Sequence, residues 1–130
     1  MLANQPIDVM LLATDLAVAK EFYGEKVGLE VLIETDDFLT FQAGGDSRLV
    51  VTLSSSGTSE EQTKASWRVA DIATEVAELR SRGVEIVEYD SPDLKTVDGV
   101  ADVGFALVAW FIDPSGNNVG LLQFKNEALG

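Results

Sequence analysis

A chain of 130 residues, 46% apolar and 24% charged, has the size and balance of one globular domain. Nine Lys and Arg against 22 Asp and Glu leave a net charge of −13, which disfavours nucleic acid and anionic membranes as partners. With no His and no Cys, imidazole metal sites, disulfides, thiolate chemistry and histidine-based triads are excluded.

Ile7 to Ala13 is an apolar run with one acid, Asp8, near its start, and reads as a buried strand. Thr14 or Asp15 then caps a helix, because a short oxygen side chain satisfies the free amides of a first turn. Leu16, Ala19, Phe22, Tyr23 and Val27 fall on one face of that helix, and Gly28 ends it. Leu29–Glu34 and Phe38–Gln42 read as strands joined at Thr35-Asp36-Asp37. A turn at Ala43–Asp46 leads into a strand from Arg48 to Ser54.

Residues 54–63 are Ser-rich and polar, and read as a linker too short to separate domains. Ala65–Ala70 is the next strand, Asp71 the next helix cap, Gly83 the next helix end, and Val84–Tyr89 the strand that follows. Asp90–Asp102 is the longest irregular stretch, a length that in a compact domain marks a functional or mobile loop. Phe105–Ile112 and Asn118–Phe124 are strands around the tight turn Asp113-Pro114-Ser115-Gly116-Asn117. The second half therefore repeats the first, with Asp71 matching Asp15 and Gly83 matching Gly28. A repeated unit that cannot bury its own face implies two copies packed on each other. No apolar run approaches the roughly 18 residues of a membrane helix. The first six residues have neither a basic region nor a long apolar one, so a signal peptide is not expected and a cytoplasmic location is.

Three segments resemble the vicinal oxygen chelate superfamily of glyoxalases, extradiol dioxygenases and bleomycin-resistance proteins. They are Val9-x-Leu11-x-Ala13-x-Asp15-Leu16 with Glu21-Phe22-Tyr23 and Val27-Gly28-Leu29; Trp67-x-Val69-x-Asp71-Ile72 with Leu79 and Gly83-Val84; and Phe111-x-Asp113-Pro114-x-Gly116-Asn117. The resemblance implies an α+β fold of two βαβββ modules forming an incomplete barrel around a cup. It implies one domain over 1–130, with modules at about 7–53 and 64–124. It also implies a homodimer.

In metal-dependent members four side chains of the cup hold a metal. The matching positions here are Asp8, Lys64, the stretch Leu49–Leu53 and Gly120. A lysine repels a metal, and one carboxylate cannot hold Zn²⁺, Ni²⁺ or Fe²⁺ alone. The expectation is therefore no metal and no cofactor. Asp8 and Lys64 could form an ion pair in the metal's place, or be a structural bridge, or be unrelated surface residues. Strand alternation then puts Met10 and Leu12 in the cup with Asp8, and Ser66 and Arg68 with Lys64. It adds Asn118 and Leu122 beside Gly120, and turns Trp110 and Val108 inward. Asp8, Lys64, Arg68, Trp110, Asn118, Met10, Leu12 and Ser66 are the expected ligand-binding residues, with no catalytic residue among them. Apolar walls with a few orienting groups suit a small molecule.

Three functions stay open. The first is a metal-free binding protein that sequesters a cationic or aromatic natural product, favoured by the acidity and the lost ligands. The second is an enzyme, either of the superfamily's glyoxalase or dioxygenase kind or a metal-independent one using Asp8, Lys64 and a tyrosine. The third is a regulatory or scaffold domain with a vestigial cup.

Overall fold

The computed structural model describes residues 1–55 and 62–126. Most of the expected linker and the end of the expected tail, residues 56–61 and 127–130, lie outside the described residues. The fold is α+β, and two compact units divide the chain: Met1–Glu60 with Asp113–Asn117, and Glu61–Ile112 with Asn118–Gly130.

The first unit runs β1 (Asp8–Ala13), α1 (Leu16–Lys20), β2 (Glu30–Glu34), β3 (Phe38–Gln42) and β4 (Arg48–Leu53). The sheet order is β1-β4-β3-β2, with β1 parallel to β4 and the other pairs antiparallel. It is one βαβββ module, an open sheet with β1 and β2 at its edges. Asp15 caps α1, its carboxylate accepting from Val18 N at 3.1 Å. Five α-helical residues are too few to be stable alone, so packing holds the helix. The same helix then widens into one π-turn, Glu21–Lys26, where Val27 N donates to Phe22 O at 2.9 Å. This places consecutive Phe22 and Tyr23 under cover together, with Ala19. Their rings meet edge to face at 5.0 Å, and Tyr23 also touches Phe41 at 5.9 Å. Leu11, Ala13, Leu39 and Val51 complete this core from the sheet.

The second unit runs β5 (Thr63–Arg68), α2 (Ile72–Ser81), β6 (Thr96–Val97), β7 (Val100–Asp102), β8 (Ala106–Ile112) and β9 (Asn118–Phe124). Its sheet order is β5-β9-β8-β7-β6, with β5 parallel to β9. Asp71 caps α2 as Asp15 caps α1, accepting from Thr74 N at 3.2 Å. Gly83 closes the helix at φ 87°, the counterpart of Gly28 at φ 88°. Ile72, Val76 and Leu79 face the sheet, where Trp67 stacks on Phe111 at 6.5 Å.

Two expectations fail in this unit. The strand at Val84–Tyr89 is reduced to a single bridge, Ile86 to Phe111, beside the bond from Val87 N to Trp110 O. β7 occupies the same edge of β8 at Leu107 and Val108, so no longer ladder can form there. The stretch Asp90–Asp102 is correspondingly not one irregular loop. It contains the β6–β7 hairpin, turned at Asp98 (φ 53°) and Gly99 (φ 82°), the two left-handed residues of a tight hairpin. Among the described residues no helix is long and apolar enough to cross a membrane.

Candidate functional site

In each unit the helix covers one face of the sheet and leaves the other open. On β1, Leu11 and Ala13 lie under the helix, while Met10 (62% exposed) and Leu12 (43%) stand on the open face with Asp8. The register brings Asp8 opposite Arg48, Met10 opposite Val50 and Leu12 opposite Thr52. The open face is therefore apolar in the middle and charged at the end where β1 begins.

At that end Asp8 meets Arg48. Asp8 Oδ1 accepts from Nε at 3.1 Å and Oδ2 from Nη2 at 2.8 Å, a two-pronged contact that uses both carboxylate oxygens. These hydrogen bonds, with the guanidinium charge, hold the Asp8 carboxyl below its ordinary value against the opposing effect of burial. The pair's contribution to stability is thus complete above about pH 3.8 and is lost as the pH falls below it. In Arg48→Met, an NMR titration of Asp8 should show its midpoint move upward. An unmoved midpoint would mean that Arg48 does not hold the carboxylate in solution.

On the second unit's open face, Ser66, Gly120 and Trp110 form one cross-strand row, with Arg68 and Leu122 in the next. Asn118 is buried at the start of β9. A methyl on Gly120 would come within 2.8 Å of Ser66 Oγ and 3.4 Å of Thr63 Cγ2, so these neighbours close around the bare backbone. Trp110 is half-buried, and its ring meets Tyr89 edge to face at 5.2 Å. Lys64 departs from the alternation expected of it. The register shifts between Thr63 and Ala65, which places Lys64 at a bulge and sets Thr63, not Lys64, opposite Asn118.

Asp8, Met10 and Leu12 thus share a face in the first unit. Ser66, Arg68, Trp110 and Asn118 share one in the second, where Lys64 sits at the bulge. Arg48 was missed. Its signal was the opposite charge at the start of a strand as apolar as β1, visible once the two strands are aligned from their first residues.

The resemblance matches Asp8, Lys64, the stretch Leu49–Leu53 and Gly120 to the positions that hold a metal in metal-dependent members. Asp8 is engaged with Arg48, and Gly120 has no side chain. Val50 and Thr52, the open-face residues of β4, are not metal-binding carboxylates. Among the described residues no three of His, Cys, Asp or Glu stand close enough to hold a metal ion.

The family model described as Glyoxalase/Bleomycin resistance protein/Dioxygenase superfamily matches residues 7–121, and the chain belongs to that superfamily. A glyoxalase/bleomycin resistance protein/dioxygenase from Alicyclobacillus acidocaldarius shares the fold with a TM-score of 0.73 and 21% identity, over 97% of this chain and 96% of that one. A glyoxalase family protein from Enterococcus faecalis gives 0.70 and 23%, over 94% and 99%. TnmS3, an antibiotic binding protein from Streptomyces sp. CB03234, gives 0.64 and 25%, over 93% and 94%. No curated protein matches the sequence.

Proposed function

We propose that this chain binds a small cationic or aromatic natural product on its open sheet faces and does so without a divalent metal. The observation that carries the reading is the row Ser66–Gly120–Trp110. Where a metal-dependent relative carries a ligand there is bare backbone, and a half-buried indole borders it. Such a ring offers a flat stacking surface and attracts cations to its face. The net charge of −13 concentrates cations near the chain, and the similar TnmS3 is an antibiotic binding protein. Each unit has its own candidate contacts: Asp8, Met10 and Leu12 for the first, and Lys64, Ser66, Arg68, Trp110 and Asn118 for the second.

A thermal-shift screen tests this, with chelator-treated protein against divalent metals and a panel of cationic and aromatic natural products. A ligand at 100 times its dissociation constant adds about 2.7 kcal/mol, a shift of several degrees. Stabilisation by a natural product and by no metal is the expected result. A clear shift with Ni²⁺, Zn²⁺ or Mn²⁺ that disappears in Asp8→Ala would overturn the metal-free reading.

A further inference from the structure

The first unit has a second recess, on the side of its sheet that faces the helix. A groove of about 350 Å³ runs between the helix and β2, lined by Ala17, Lys20, Glu21, Gly24, Glu25, Leu29 and Val31. Its volume is at the lower end of the range for small-molecule sites.

Two features of the chain open it. The helix changes to π-winding at Glu21, and single π-turns recur at functional sites. Gly24 lies inside that turn without a backbone reason to be glycine, since it is not among the residues of positive φ. A methyl there would stand 3.9 Å from Leu29 O, 3.9 Å from Phe41 Cε1 and 4.0 Å from Val31 Cγ2, all ordinary contacts. Alanine would fit and would favour the helix. Glycine instead leaves a notch in the groove floor.

The chemistry of the lining is asymmetric. Leu29 and Val31 make an apolar floor on the strand side. Glu21 and Glu25 bring carboxylates from the helix, and the ammonium of Lys20 is held by Glu34 at 2.9 Å. We propose that this groove binds a small organic cation with an apolar body, an alkyl- or arylammonium, its carbon part against Leu29 and Val31 and its charge toward Glu21. This site lies apart from the open face of the same sheet and does not depend on the function proposed above.

The test is an NMR titration of the full chain with hexyltrimethylammonium, and with hexanoate as a probe of opposite charge and similar tail. The cation should move the backbone amides of Gly24, Leu29 and Val31, and hexanoate should leave them in place. Glu21→Gln, an exposed change that leaves the fold intact, should weaken the cation about two- to fivefold, the scale of one surface charge pair. Gly24→Leu should abolish the response by filling the notch. The proposal fails if hexanoate moves the same amides equally, if the cation moves none of them, or if Glu21→Gln changes nothing. These arms decide the matter even if Gly24→Leu does not fold.

Discussion

Asp113→Ala will lower the stability of this protein by about 3–5 kcal/mol, the loss expected when a buried, fully bonded charge is removed from its partners. Asp113 is 5% exposed, and its carboxylate accepts four hydrogen bonds. Oδ1 takes Ser115 N at 2.9 Å and Asn117 N at 2.8 Å; Oδ2 takes Tyr23 OH at 2.7 Å and Asn117 Nδ2 at 2.8 Å. Asn117 Nδ2 also reaches Leu12 O at 2.7 Å, so the network ends on the backbone of β1. Alanine leaves these donors facing a void. Tyr23→Phe removes one donor and keeps the ring, so its cost should be smaller, about 1–2 kcal/mol. Urea unfolding of both variants checks the order, and an Asp113→Ala loss under about 1 kcal/mol would show that the network carries little.

The same network makes a pH prediction. Burial first, and then the charge of Asp113 and the hydrogen bond to it, push the Tyr23 phenol far above its ordinary value of 10.0. The folded chain keeps this proton where the unfolded chain gives it up. The stabilisation is complete below pH 10 and is lost as the pH rises above it, by up to about 1.4 kcal/mol per pH unit. Tyr23→Phe should remove that slope.

Gly99→Ala will cost about 2–5 kcal/mol, from two effects of the same methyl group. At φ 82° any Cβ is strained, which accounts for about 1–2 kcal/mol. The methyl would also stand 2.6 Å from Ile86 Cγ2 and 3.1 Å from Arg80 Nη2. Ile86 is buried and bridged to Phe111, so it has little room to retreat, and overpacking adds about 1–3 kcal/mol. Gly45→Ala separates the two effects. Gly45 has φ 61° and nothing within 4 Å of the added carbon, so only the backbone strain remains. Denaturant midpoints of the two variants should differ by about the packing contribution. Equal losses would mean that the hairpin gives way without cost.

The repeat was legible because it is written in local chemistry. A short acid at Asp15 and Asp71 caps each helix, and Gly28 and Gly83 end them at nearly the same dihedral. The open-face residues followed from alternation along single strands. Most of what escaped depends on neighbours distant in sequence. Glu85, Val87 and Tyr89 alternate with Val84, Ile86 and Glu88 much as a strand would, and only β7 on the edge of β8 limits the segment to a bridge. The partner of Asp8 lies forty residues away on β4 and becomes visible only with the register. The bulge at Lys64 carries no Gly or Pro to announce it. The Asp98-Gly99 turn is the exception: its Asp-Gly dipeptide is a strong local sign of a tight hairpin, and reading Asp90–Asp102 as one irregular stretch passed over it.

The composition of the first unit has a consequence for biosynthesis. Tyr23 and its acceptor Asp113 are 90 residues apart, and Thr14 N reaches Ser115 Oγ at 3.1 Å across a similar span. A ribosome adds on the order of 5–20 residues per second, so the β1–β4 module emerges several seconds before the turn that completes its hydrogen bonds. During that interval the Tyr23 hydroxyl lacks its carboxylate, and the carbonyl of Leu12 lacks its amide. A fragment of the chain that ends before Asp113 would leave both groups without these partners permanently.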